Sequence, residues 1–153
     1  MDSEQLFSSF TRPLTDDERT QILNAYYHPY RGEVTQAIAG ASAPVIHFSI
    51  HSFTPVWDGQ PREVEVGVLF DPARKFEHDV CGKMMNRLTA LLPGMAIRLN
   101  EPYHGTDDGF TTYLRKQFSD AVYAGVEIEL SQKLLPGHMQ SLVDVLAEAI
   151  AAL

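Results

Sequence analysis

Val45-Ile46-His47-Phe48-Ser49-Ile50-His51-Ser52-Phe53-Thr54-Pro55 is the stretch on which the fold turns. Ile46, Phe48 and Ile50 alternate with His47, Ser49 and His51, the two-residue period of a strand with one apolar and one polar face. The strand is expected to end at His51, with a loop from Ser52 to Pro55. Open α/β sheets bind ligands at the carboxyl ends of their strands, so a histidine there is placed to do chemistry. A histidine that merely hydrogen-bonds its own loop fits the same pattern. A second site has to decide between them.

That second site is Val126-Glu127-Ile128-Glu129-Leu130. Val126, Ile128 and Leu130 fall on one face of a strand, and Glu127 and Glu129 on the other. A carboxylate buried without a partner is costly, so such a pair belongs either to a polar cleft or to an edge strand with one wet face. In the first case one of them could act as a general base.

Composition narrows the field. The chain has 153 residues, 44% hydrophobic and 21% charged, as in a soluble globular domain large enough for a single core. Twelve basic against twenty acidic side chains give a net charge of -8. No Lys/Arg cluster supplies the basic footprint that nucleic acid requires, so a small-molecule partner is expected. No apolar run approaches the roughly 20 residues of a membrane span. Met1 to Gln5 lacks the basic and apolar regions of a secretory signal. The lone Cys81, beside Met84 and Met85 in a helical pattern, excludes an internal disulfide and reads as core. Together these features predict a cytoplasmic protein. The oligomeric state stays open, a homo-oligomer included.

Helical and extended patterns alternate along the chain, which predicts an α/β fold with helices layered around a mostly parallel or mixed sheet. Thr15-Asp16-Asp17-Glu18 is a capping box. Ile22, Tyr26, Tyr30, Val34 and Ile38 continue as a stripe, with a kink expected at Pro29. Asp58-Gly59-Gln60-Pro61 reads as a turn and Glu63 to Phe70 as a strand. Asp71-Pro72 reads as a cap with proline at the first helical position, opening a helix that runs to Pro93-Gly94. Met95 to Leu99 is a short strand, Phe110 to Phe118 a short helix and Val122 to Leu130 the Glu-bearing strand. The last helix should turn Leu142, Val143, Leu146 and Ile150 inward. The loop Asn100 to Gly109 concentrates polar groups after a strand end, where sites are commonly placed, although Asp and Gly also make plain turns. Gly105 and Gly109 lack the spacing of a phosphate loop. His51 and Ser52 point to opposite sides of a strand and cannot form a nucleophile–base pair. His47, His78, His104 and His138 match no ligand spacing.

His51-Ser52-Phe53-Thr54-Pro55, Pro61-Arg62 and Val66-Gly67-Val68-Leu69-Phe70 together resemble the central segment of the N-formylglutamate amidohydrolase family. Asn100-Glu101-Pro102-Tyr103, Gly109-Phe110-Thr111 and Glu129-Leu130-Ser131-Gln132-Lys133-Leu134-Leu135 follow in the family's order, and Tyr26 to Tyr30 resembles its upstream segment. The resemblance runs from about Thr15 to the C-terminus, over a single domain of residues 15–153 behind a variable segment, 1–14. That family is similar to zinc carboxypeptidases. The resemblance therefore implies a zinc exopeptidase (phosphorylase/hydrolase-like) fold, incomplete at its N-terminus, and hydrolysis of the amide of a small N-acyl amino acid such as N-formylglutamate. It implies His51 as a metal ligand and Glu129, rather than Glu127, as the base toward a zinc-bound water. Arg62, Asn100 and Tyr103 are implied as substrate-binding residues, with surface pairing an equal account of Arg62.

The sequence departs from the family at three places. The family's first metal ligands lie in an N-terminal segment, and Met1 to Leu14 contains no histidine. Ser131 stands where a basic residue is usual, and Arg31 where relatives often carry histidine. A catalytic zinc takes three protein ligands, and one matched histidine is too few. The resemblance thus leaves two readings open: an amidohydrolase of which this chain carries only part of the metal site, or a metal-free ligand-binding or interaction domain derived from the family. Under the first, His51 and Glu129 should stand at neighbouring strand ends facing one cleft, and this chain should bind zinc only weakly.

Overall fold

The computed structural model describes residues 13–153, in two compact units that divide after Ala43. Each unit is described by itself. Most of the segment 1–14 lies outside the described residues.

The first unit is a helix in three parts. Helix α1 spans Asp16–Ile22, a π-helical turn spans Leu23–Tyr27, and α2 spans His28–Ala39. The capping box forms as expected: Thr15 Oγ1 accepts from the Glu18 amide, and the Glu18 carboxylate accepts from the Thr15 amide at 2.8 Å. Pro29 follows directly on the π turn inside a continuous right-handed helical path, Tyr27 and His28 both being helical, so the α-helical pattern is interrupted next to the proline. The π turn lies just ahead of it, over the residues whose carbonyls a proline ring would crowd. The expected stripe is not a core face. Tyr26 and Tyr30 are exposed, and of the stripe only Ile38 is buried. A strict four-residue spacing advances about 40° beyond a full turn at each step, so the series winds around the helix instead of staying on one side.

The second unit carries the sheet. Strands β1 (Val45–Phe53), β2 (Val56–Trp57), β3 (Gln60–Pro61) and β4 (Val66–Leu69) precede helix α3 (Lys75–Leu91). Strand β5 (Ile97–Leu99), helix α4 (Phe110–Arg115), strand β6 (Tyr123–Ser131) and helix α5 (Met139–Ala151) follow. The main sheet has the order β1-β6-β4-β5 and is mixed: β1 and β6 are parallel, as are β4 and β5, while β4 and β6 run antiparallel. β2 and β3 form a separate hairpin. Ala124, Val126, Ile128 and Leu130 of β6 join Val66 and Val68 of β4 under Val80, Cys81, Met84 and Leu88 of α3 and Leu146 and Ala149 of α5. That apolar layer leaves the opposite face of β6 to Glu127 and Glu129.

Several boundaries differ from the sequence reading. β1 runs on through Ser52 and Phe53, because the ladder with β6 continues to Ser131 and Phe53 is buried. β6 is not an edge strand: it lies between β1 and β4. Asp71-Pro72 does not open α3. Asp71 Oδ1 accepts from the Ala73 amide in a local turn, and the helix starts at Lys75. Its first amides, of Lys75 and Phe76, donate to the Asp120 carboxylate at 2.9 and 3.1 Å, a cap supplied from beyond α4. In α5, Leu142 and Leu146 are buried, but Val143 is exposed.

Cys81 is fully buried against the sheet, and burial, with the Glu77 carboxylate nearby, pushes its thiol up to about 12. A thiolate is the reactive form, so native protein at pH 8 is expected to leave a disulfide reagent unconsumed over minutes and to consume one equivalent once denatured. Rapid reaction of the native chain would contradict the packing described for α3.

Candidate functional site

Parallel pairing of β1 with β6 brings the two sequence sites together. The register sets Ser49 beside Glu127 and His51 beside Glu129, so all four side chains rise from one face of the sheet. The antiparallel neighbour β4 places Gly67 on the other flank of Glu129 and Leu69 beside Glu127. Both His51 and Glu129 lie two residues inside their strands, on the face near the carboxyl ends of β1 and β6 and not beyond them.

The loop 100–109 folds over this face. A Cβ at Gly67 would overlap the Glu101 carbonyl oxygen, so only glycine lets the loop approach so closely beside Glu129. Asn100 anchors the loop from a left-handed backbone (φ 52°): its Oδ1 accepts from the amides of Phe70 and Gly105 at 3.0 and 3.1 Å. The result is a cleft of about 250 Å³ walled by Leu69, Tyr103, His104, Asp107, Asp108, Gly109, Glu127 and Glu129.

The two glutamates sit in different surroundings. Glu127 accepts a short hydrogen bond from Thr111, a buried α4 hydroxyl. Glu129 is only 7% exposed, and its Oε2 has no hydrogen-bond partner among the described residues. Burial raises its carboxyl above the usual carboxylate range. His51 opposes the shift, the Glu127 carboxylate adds to it and Arg62 opposes it. His51 is exposed, and its Nε2 lies 2.7 Å from Ser49 Oγ. His47, deeper on the same face, pairs through Nδ1 with Tyr123 Oη at 3.0 Å. Burial holds its imidazole below the ordinary value, with Glu127 opposing and His51 assisting.

The remaining candidates fall into two groups. Arg62 and Tyr103 are joined directly, Arg62 Nη1 donating to Tyr103 Oη at 3.1 Å. No ion pair engages Arg62 among the described residues; its contacts are hydrogen bonds to Thr54 and Tyr103 and aromatic rings. Asn100 has its oxygen committed to the loop, which leaves its amide nitrogen as the uncommitted end. Among the described residues no three His, Cys, Asp or Glu side chains converge on a point a metal ion could occupy, and this includes His47, His78, His104 and His138.

Sequence reading missed Thr111 and Asp107. Both stood in noted segments, but only the fold turns them toward Glu127 and the cleft. It also missed Glu77, which is fully buried on α3 and takes a hydrogen bond from the Gly125 amide at 3.0 Å. A lone glutamate in an amphipathic helix carries no local sign of that role.

A polar cleft on one face of a mixed sheet, with helices packed on the other, defines an α/β protein with an enclosed carboxylate site. The sequence matches the family model of N-formylglutamate amidohydrolase over residues 1–135, and the chain belongs to that family of hydrolases. The match begins ahead of Thr15 and stops short of α5, a span displaced from the one the motifs outlined. In fold the chain is similar to a gene product of Agrobacterium tumefaciens of known crystal structure. That likeness has 28% identity and a TM-score of 0.67 over 93% of this chain and 57% of the other. It is also similar to N-formylglutamate amidohydrolase from Ralstonia eutropha JMP134, with 22% identity and a TM-score of 0.60 over 79% of this chain and 45% of the other. The second likeness speaks to the fold alone. The chain thus spans about half the length of these solved relatives. No curated protein matches it. No helix among the described residues is long and apolar enough to cross a membrane.

Proposed function

We propose that this cleft is the general-base side of a site that hydrolyses the amide of a small N-acyl amino acid such as N-formylglutamate. The observation that carries the reading is Glu129: a buried carboxylate with one unpartnered oxygen, in register with His51, in a cleft large enough for a small ligand. A carboxylate whose proton affinity is raised by burial is better matched to taking a proton near neutral pH than an exposed one. In this reading Glu129 accepts a proton from the water that attacks the formyl carbonyl. It then returns that proton to the departing amine as the C–N bond breaks, leaving formate and the free amino acid. Arg62 and Tyr103 hold the substrate carboxylate, and the Asn100 amide is the third candidate contact.

Zinc enters through the family resemblance, with His51 as the ligand this chain would offer. The described residues do not complete such a site, because a catalytic zinc takes three protein ligands and they bring no third donor to the same point. Calorimetric titration with zinc is therefore expected to show weak binding that His51→Ala weakens further. Tight stoichiometric binding that survives His51→Ala would place the metal elsewhere.

The direct test is formate release from N-formylglutamate, with and without added zinc, beside calorimetric binding of the same compound. Binding with release supports the hydrolase. Binding with no release by this chain, but release by a longer protein that contains it, supports a partial site. Binding with no release by either under any metal condition would shift the reading to the metal-free ligand-binding domain. Absence of both would remove this substrate class.

A further inference from the structure

Trp57 is the only tryptophan of the chain and is 63% exposed, so burial does not account for its position. Its place is set by the β2–β3 hairpin. Asp58 and Gly59 both have positive φ, 48° and 72°, the requirement of a two-residue turn whose twist matches the flanking strands. The Arg62 amide closes the hairpin on the Pro55 carbonyl at 2.8 Å. The closed hairpin sets the indole against the Arg62 guanidinium, 5.3 Å from ring centroid to Cζ.

Two further rings complete the surround. Phe53, buried at the end of β1, lies 5.6 Å from the same Cζ, and Tyr103, a wall of the cleft, 5.0 Å. Arg62 Nη1 is committed to the Thr54 carbonyl at 3.4 Å and to Tyr103 Oη at 3.1 Å. Nε and Nη2 have no hydrogen-bond partner among the described residues. A guanidinium binds a carboxylate best with two parallel N–H donors, and the Nε–Nη2 edge is such a pair. An arginine on a solvated hairpin would otherwise spread over many rotamers, and ordering it on binding weakens the complex.

We infer that Trp57 is a positioning residue for carboxylate recognition: with Phe53 and Tyr103 it stacks on Arg62 and fixes the Nε–Nη2 edge as the anchor for the substrate carboxylate. The inference rests on the amidohydrolase reading for the identity of the substrate, but not for the anchor itself. Trp57 is also the reporter of that anchor, because a carboxylate drawn onto Arg62 changes the field at the stacked indole.

The test is equilibrium binding to the intact chain, by Trp57 emission and by calorimetry, using N-formylglutamate and, separately, the plain dicarboxylate glutarate. Wild type is expected to give a saturable emission change that Arg62→Ala abolishes. Calorimetry should show Trp57→Ala weakening binding by about three- to tenfold, while Trp57→Phe stays within about twofold of wild type because a stacking ring remains. Equal affinity of Trp57→Ala and wild type would overturn the inference, as would an emission change that persists in Arg62→Ala or no response to either compound. A response to glutarate with none to N-formylglutamate keeps the anchor and removes the proposed substrate. Formate release that is indifferent to Trp57→Ala in KM as well as kcat keeps the substrate and removes the anchor.

Discussion

Glu129→Gln is expected to lower turnover of N-formylglutamate by about 10²–10⁴-fold, wherever the protein hydrolyses it, in this chain or in a longer protein that contains it. The amide has nearly the shape of the carboxylate but cannot take a proton from water. The same substitution should leave the thermal midpoint unchanged or slightly raised, because Glu129 is a desolvated carboxylate with one oxygen unpartnered. A catalytic role and a structural one therefore predict opposite pairings of activity and stability. Glu127→Gln is the control. Glu127 is occupied by the Thr111 hydroxyl, which a glutamine oxygen also accepts, so its effect on turnover should be about tenfold or less. Full turnover in Glu129→Gln would move the base to Glu127, the other carboxylate on this wall of the cleft.

The contrast between the two glutamates also marks how far the sequence could be read. Alternation alone put Glu127 and Glu129 on one face and His51 on the polar face of its own strand. Pairing alone could make those faces the same, and pairing is a long-range property. The parallel register of His51 with Glu129 joins residues 78 positions apart. Local signals succeeded where the interaction is local: the Thr15–Glu18 box, the Asp58-Gly59 turn, the stop at Pro93-Gly94. They failed where a distant group overrode them. The cap of α3 comes from Asp120, so Asp71-Pro72 looked like a helix start and is only a turn. β6 looked as much like an edge strand as a central one, because a central strand with two carboxylates is tolerable only under a polar cleft, and the loop that builds that cleft lies elsewhere in the chain. The aromatic surround of Arg62 draws on β1, β2 and the loop 100–109, and no spacing rule links Phe53, Trp57 and Tyr103.

Arg115→Met is expected to destabilise the fold by about 3–5 kcal/mol, the cost of taking one of two cationic partners from a buried carboxylate and of leaving two backbone carbonyls without their donor. Glu77 is 0% exposed, and its carboxylate meets Arg115 Nε at 2.9 Å and Arg74 Nε at 3.2 Å. It also takes hydrogen bonds from the amides of Asp71 and Gly125. The Gly125 amide needs such an acceptor because β4 pairs with β6 only as far as Glu127, so beyond that point β6 has no strand on that side. Glu77 fills the gap from α3. Arg115 in turn donates to the carbonyls of Gly105 and Gly125, so the same side chain ties the cleft loop to the strand beneath it. Methionine can fill much of the volume but satisfies none of these groups. For a chain of this size the loss should appear as a fall of about 6–20 °C in the thermal midpoint, followed by circular dichroism. Because Gly105 would lose its tether, ligand affinity should fall as well, even at temperatures where the variant is folded. Arg115→Lys separates the two roles: it keeps the charge beside Glu77 but cannot span both carbonyls, so it should recover part of the stability and little of the affinity. A midpoint within about 2 °C of wild type for Arg115→Met would mean that Arg74 alone neutralises Glu77, and that the tie between α3, α4 and β6 is not what holds the cleft together.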